Sequence, residues 1–210
     1  MQDLKPLHDA ILKGDAKTAK SVTEQAVKDG MEPLKLIQGY MMPAMREVGQ
    51  RFERNEYFVP ELLLSARAMK TALELLRPLL AKGGAQPSGR VVVGTVKGDL
   101  HDIGKNLLAA MLEGDGFEVT DIGVNVTPEQ FVMAVKQKQP QILALSALLT
   151  TTMPAMKDTI EALKKAGIRD QVKVLVGGAP ITQKFADEIG ADGYAESAAV
   201  APTLARQMLV

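Results

Sequence analysis

Residues 90–106 read Arg-Val-Val-Val-Gly-Thr-Val-Lys-Gly-Asp-Leu-His-Asp-Ile-Gly-Lys-Asn. The first seven form a β-branched run with the apolar density of a strand covered on both faces, and the remainder is a polar, glycine-containing loop that opens a helical pattern. Similar short runs recur at Phe117 to Ile122, Gln141 to Leu145 and Val172 to Val176, each separated from the next by a helical segment, and Asp192 to Ala195 reads as a weaker fifth strand before a last helix. Alternating strand and helix predicts an α/β domain over 85–210, with a doubly wound, five-stranded parallel sheet.

Toward the N-terminus the pattern changes. Lys82 to Gly89 has the Gly, Pro and Ser content of a linker, which sets a boundary between residues 84 and 85 and offers a hinge. Before it, Leu34, Ile37, Met41, Met45, Val48 and Phe52 recur at helical spacing, as do Leu62, Ala66, Met69, Leu73, Leu76 and Leu80. Two shorter helices, around 3–13 and 16–28, are separated by Gly14 as a stop and Asp15 as an N-cap. Residues 1–84 are therefore expected to form a small four-helix bundle. Between the long helices, Asn55 can turn the chain and Pro60 suits a first helical turn, while Phe52, Tyr57 and Phe58 crowd this one corner of a chain with only five Phe and three Tyr. Packing at the end of a bundle accounts for that density, with a lid over a ligand as the alternative.

The inventory limits the chemistry. With no cysteine and two histidines, the chain cannot build a disulfide framework, a thiolate metal site, a cysteine nucleophile or a three-histidine centre. Lys+Arg 25 against Asp+Glu 25 gives no electrostatic reason to expect nucleic acid or an anionic membrane as partner. Met1 to Lys5 carries no apolar signal region and no apolar stretch is long enough to span a bilayer, so a soluble, cytoplasmic protein is expected.

In an open parallel sheet, ligands bind beyond the carboxyl ends of the strands. The loops there are Lys97 to Asn106 after the first strand, Ser146 to Thr152 after the third, Gly177-Gly178-Ala179-Pro180 after the fourth and Tyr194-Ala195-Glu196 after the fifth. The first loop matches neither the P-loop nor the dinucleotide fingerprint. A phosphoacceptor receiver would place Asp where Ser146 stands, and the His101-Asp102 doublet of metal-dependent phosphohydrolases lacks its further histidines, the only other one being His8. What survives is one imidazole, His101, two residues from the carboxylate of Asp99, with hydroxyls arriving from the third strand. A carboxylate behind a metal-bound histidine fixes its tautomer and raises its basicity.

Asp99-x-His101-x-x-Gly104, followed by Ser146-x-Leu148 and then Gly177-Gly178, resembles the three-part signature of cobalamin-binding domains. The flanking words Gly-Asp-Leu-His-Asp-Ile-Gly-Lys-Asn and Val-Gly-Gly-Ala-Pro-Ile-Thr resemble more narrowly the corrinoid proteins of methyl-transfer systems for methanol, methylamines, betaines and methoxyaromatics, relatives of the cobalamin-binding half of methionine synthase. Tyr57 to Leu63 resembles the end of that family's four-helix cap, so the likeness spans nearly the whole chain.

The resemblance implies a flavodoxin-like, Rossmann-type cobalamin fold beneath a helical cap. The corrin supplies four nitrogens, and His101 becomes the lower axial cobalt ligand, with Asp99 behind it and Thr152 or Thr150 extending the relay. The displaced benzimidazole tail enters the sheet between the first and third strands, a channel that Gly98, Gly104, Ser146, Gly177 and Gly178 keep narrow in side chain. Leu100, Asp102, Ile103, Leu148, Ala179 and Tyr194 complete the cofactor loops, and Phe52 and Val59 press on the upper face. The implied function is that of a methyl carrier without a substrate site of its own, holding methylcobalamin when loaded. It serves a donor-specific methyltransferase, a barrel protein, and a second methyltransferase that passes methyl to tetrahydrofolate or coenzyme M, with a reductive activase as third partner. Two alternatives remain: the cobalamin subunit of an adenosylcobalamin mutase, which shares the loop but against which the helical cap argues, and a cobalamin-sensing regulator, which also joins a helical bundle to this fold but would need a DNA-binding module, and no basic recognition helix precedes residue 30.

Overall fold

The computed structural model describes residues 4–83 and 87–210, so the expected boundary at 84/85 and the middle of the expected 82–89 linker lie outside the described residues. The chain divides into two compact units, one of residues 1–87 with 110–116 and one of residues 88–109 with 117–210.

In the helical unit, α1 (Lys5–Leu12) and α2 (Ala16–Lys28) are joined by the Gly14-Asp15 turn, where Asp15 caps α2 by accepting the Thr18 N–H at 3.0 Å. The stripe from Leu34 to Phe52 was expected on one regular helix. It lies instead on α3 (Pro33–Leu36), a π-helical turn (Ile37–Met41) and α4 (Met42–Glu53) in uninterrupted succession. Pro43 has no N–H to bond the carbonyl one turn back, and the ladder widens immediately before it, as the Met42 N–H donating to the Ile37 carbonyl shows. The widened turn rotates the face that precedes it. Leu36 is buried in line with Met41, and Leu34, which a regular helix would have buried, is exposed.

Asn55 leaves α4 with φ +59°, the left-handed turn expected of it, and Pro60 stands in the first turn of α5 (Val59–Gly83). Bundle packing does not account for the whole aromatic corner. The Tyr57 hydroxyl donates to the Leu12 carbonyl at 3.1 Å beneath the Arg51 guanidinium, but Phe58 is 60% exposed. Its backbone N–H is taken by Glu61 at 2.9 Å, which fixes the first turn of α5 while the ring remains in solvent.

The second unit alternates β1 (Arg90–Thr95), α6 (Ile103–Gly114), β2 (Glu118–Asp121), α7 (Pro128–Lys138), β3 (Ile142–Ser146), α8 (Pro154–Lys165), β4 (Lys173–Gly177), α9 (Gln183–Ile189), β5 (Gly193–Ala195) and α10 (Ala201–Met208). All strand pairs are parallel, in the order β2-β1-β3-β4-β5. Val91 to Val93, Ile142 to Leu145 and Val174 to Val176 are buried because helices cover both faces, which is why these strands read as unbroken apolar runs. Each such fully buried aliphatic side chain contributes about 1.5–3 kcal/mol.

Register sets the level at which the site begins. Thr95 pairs with Ser146, Ser146 with Gly177 and Gly177 with Ala195, so four strands end on one line and hand their loops to the same edge. Strand order reverses between β1 and β3, and the crevice that opens at such a reversal is the ligand position of this architecture.

Candidate functional site

The loop after β1 turns at Gly98 (φ +83°) and places the Asp99 side chain inside the protein with no exposed surface. Burial alone would raise its pKa, but four hydrogen bonds outweigh it and hold the carboxyl well below the usual carboxylate range. Oδ2 accepts the Leu148 N–H at 2.8 Å and the Thr152 hydroxyl at 2.7 Å; Oδ1 accepts the His101 N–H at 3.0 Å and lies 2.8 Å from His101 Nδ1. An ionised carboxylate at Nδ1 keeps the proton on that nitrogen and leaves the lone pair of Nε2 available. The imidazole is 51% exposed, and no group of three His, Cys, Asp or Glu able to hold a metal occurs among the described residues.

Around this ring the surface is unusually apolar. Leu100 is 71% exposed and Ile103 66%, and Leu148 and Leu149, on the loop bonded to Asp99 from β3, are exposed as well. Large aliphatic side chains left in water on the loops that carry and brace a half-exposed imidazole are suited to an apolar ligand surface.

The glycines divide into two kinds. A Cβ on Gly178, whose φ is +133°, would lie 1.9 Å from the Ala147 carbonyl oxygen, so the close approach of β3 and β4 loops itself demands glycine. A Cβ on Gly104 would meet nothing within 4 Å. The fold would accept alanine in that first turn of α6, three residues after His101 at the end of the same loop.

Of the residues expected at the site, Gly98 to Gly104 form the first loop, Ser146 ends β3 half-buried, and Leu148 supplies both its N–H and an exposed side chain. Asp102 turns aside to accept from the Asn106 amide at 3.1 Å. Thr152, rather than exposed Thr150, reaches Asp99. Gly177 and Gly178 are half-buried, Ala179 is exposed, and Tyr194 in β5 packs partly on the core. Phe52, half-buried near the end of α4, and Val59, exposed at the start of α5, belong to the helical unit.

Three participants were not anticipated. Leu149 carries one of the exposed aliphatic side chains, the Thr95 hydroxyl donates to the His101 carbonyl at 2.9 Å, and Asn125 bonds Gly98 and Asp99 from the loop after β2. That last loop has no histidine, acid or glycine pair, and only its position on the same edge of the sheet would have marked it.

One imidazole with an available nitrogen, backed by a carboxylate and set among apolar side chains, fits a metal whose remaining ligands come from a flat organic ring. It does not fit a metal held by side chains alone.

Comparison with known proteins agrees with that donor set. Residues 89–203 match the B12 binding domain family, and residues 4–77 match a second B12 binding domain family. Trimethylamine corrinoid protein 1 of Methanosarcina acetivorans is 45% identical over 204 residues, 96% of this chain and 94% of that protein. A crystal structure of a cobalamin-binding protein from Desulfitobacterium hafniense superposes with a TM-score of 0.82 at 32% identity over 99% of both chains. The methanol:cobalamin methyltransferase complex MtaBC of Methanosarcina barkeri gives 0.84 at 32% identity over 97% of this chain and 78% of that one. With matches to both halves and a close relative over nearly its whole length, the chain belongs to the corrinoid proteins built on B12 binding domains.

Proposed function

We propose that the protein is a corrinoid methyl carrier, taking a methyl group from a donor-specific methyltransferase and delivering it to a second methyltransferase that acts on tetrahydrofolate or coenzyme M. The observation that carries this reading is the Asp99–His101 pair, 2.8 Å apart, with the half-exposed ring among exposed aliphatic side chains. When bound, the corrinoid supplies a cobalt centre that can be a nucleophile toward a methyl donor and a leaving group toward a methyl acceptor.

The chain's own contribution is to hold and tune. His101 would hold the cobalt through Nε2, Asp99 keeps Nδ1 protonated, and Thr152 and the Leu148 N–H keep Asp99 ionised and in place. Leu100, Ile103, Leu148 and Leu149 would keep water from the bound corrinoid, and Ser146, Gly177 and Gly178 would line the entry for its nucleotide tail. Residues 85–210 serve as the cofactor domain and 1–84 as its cap; the upper-face roles of Phe52 and Val59 rest on the family resemblance.

Relatives named for trimethylamine and dimethylamine, and the likeness to one chain of a methyltransferase complex, support a methyltransferase as partner, to which we add a barrel fold for the donor enzyme and a reductive activase. No helix among the described residues is long and apolar enough to cross a membrane, in keeping with a cytoplasmic carrier. The test loads the protein with methylcobalamin: the visible spectrum should shift on His101→Ala, and the loaded wild type should pass methyl to an acceptor enzyme. An unchanged spectrum would remove the axial role.

A further inference from the structure

We propose that Asn125, in the loop after β2, is a positioning residue for His101: it grips Gly98 and Asp99 from the side opposite to Leu148 and Thr152, and so fixes where the imidazole is presented. The inference rests on the axial role proposed for His101.

Asn125 has φ +53°, a left-handed conformation that costs a non-glycine residue some energy and that asparagine tolerates better than most. In that conformation it bonds the ligand loop twice. Its Oδ1 accepts the Gly98 N–H at 2.8 Å, and its own N–H donates to the Asp99 carbonyl at 2.9 Å. Gly98 is itself left-handed, at φ +83°, so two left-handed residues meet in this bond.

The support behind Asn125 is rigid. The Thr95 N–H donates to the Gly123 carbonyl and the Val126 N–H to the Thr95 carbonyl, both at 3.0 Å, on either side of it. Asp121 at the end of β2 accepts the Gly123 N–H at 2.9 Å and pairs with the buried ammonium of Lys105 in the first turn of α6. Asp99 is thus held at its carbonyl by one loop and at its carboxylate by another, and the Thr95 hydroxyl fixes the carbonyl of His101. The backbone that carries the ring is held on both sides, and the 2.8 Å contact of Nδ1 with Asp99 Oδ1 holds the ring itself.

Position can be separated from stability because the Gly98–Asn125 bond lies at an exposed site, where water replaces a lost acceptor at small cost. Asn125→Gly keeps the left-handed backbone and its N–H but removes Oδ1; Asn125→Asp keeps an oxygen there. The full-length chain, grown with heavy-nitrogen-labelled histidine and loaded with cob(II)alamin, is read by electron paramagnetic resonance, in which an axial nitrogen from labelled His101 splits the cobalt lines into doublets. His101→Ala should abolish the doublets. Asn125→Gly should melt as cooperatively as wild type, lose a measurable fraction of the doublet signal and bind cobalamin about ten-fold more weakly, the lower end of the usual effect of disturbing a ligand's support, and Asn125→Asp should restore both. Wild-type splitting and affinity in Asn125→Gly, loss of its cooperative melt, or failure of Asn125→Asp to restore the signal would each overturn the positioning role. Doublets that survive His101→Ala would instead overturn the axial reading beneath it.

Discussion

Asp99 and His101 are joined twice through a single oxygen: Oδ1 of Asp99 accepts the His101 backbone N–H at 3.0 Å and lies 2.8 Å from the ring Nδ1. The first contact fixes the chain and the second the ring, so the carboxylate sets both the place and the tautomer of the imidazole. Oδ2, held by Leu148 and Thr152, prevents the carboxylate from turning away.

Replacing Asp99 with Asn therefore disturbs more than charge. The amide group would present donors to the Leu148 N–H and the Thr152 hydroxyl, or else to the His101 donors, and one pair must part. Cobalamin affinity of Asp99→Asn should fall about 10- to 100-fold, as for other residues that support a metal ligand. A titration followed by the visible spectrum checks this, and wild-type affinity would show that the carboxylate is dispensable.

The same carboxylate should leave a signature in acid. Its pKa in the folded protein lies well below the ordinary carboxylate value of about 4. The unfolded chain then binds the proton more readily, and Asp99 contributes stability that is complete above about pH 5 and is lost as pH falls through the unfolded and then the folded value. Denaturant unfolding of the cofactor-free protein should show the stability gap between wild type and Asp99→Asn narrowing from pH 5 to about pH 2. A constant gap would mean that the four bonds do not act on the ionised form.

Thr152 and Thr150 stand two residues apart and should behave differently. Thr152→Val removes a 2.7 Å bond to a buried carboxylate oxygen and should destabilise by about 1–3 kcal/mol. Thr150, exposed, should change stability by less than about 0.5 kcal/mol when made Val. Urea midpoints of the two variants decide between them, and equal midpoints would discard the relay through Thr152.

What could be read in the sequence followed from burial. Strands covered on both faces must be apolar throughout, so β1, β3 and β4 stood out within a residue of their ends, whereas β2, an edge strand with exposed Glu118 and Asp121, did not owe its reading to burial, and the loop from Gly98 to Gly104 carried the rare residue types that mark its chemistry. What could not be read followed from pairing. Nothing local to Thr150 or Thr152 tells which hydroxyl meets Asp99; that depends on the register of β3 against β1 and on how the chain turns into α8. Asn125 is an ordinary loop residue until the β2 loop is folded against Gly98. The π-helical turn stands directly before Pro43, which has no N–H to continue the ladder, yet Pro78 lies inside α5 without such a turn, so proline alone does not announce it.

Gly104 and Gly178 share a signature but answer to different constraints, and two alanine substitutions separate them. At Gly178 a methyl group would fall 1.9 Å from the Ala147 oxygen on a backbone at φ +133°, where L-residues are strained. The loops after β3 and β4 would have to move apart, and Gly178→Ala should destabilise the cofactor-free protein by about 3 kcal/mol or more, in the range where strain and steric overlap dominate. At Gly104 the methyl meets nothing, and alanine is a better helix former, so Gly104→Ala should leave the cofactor-free protein as stable as wild type or more stable by up to about 1 kcal/mol. Its cost should appear only with the ligand, because the methyl would stand at the end of the loop that carries His101: cobalamin affinity should fall although the fold is intact. Thermal melts without cobalamin and titrations with it, run on both variants, give the comparison. If Gly104→Ala binds cobalamin as wild type does, the open space at the start of α6 is not part of the site.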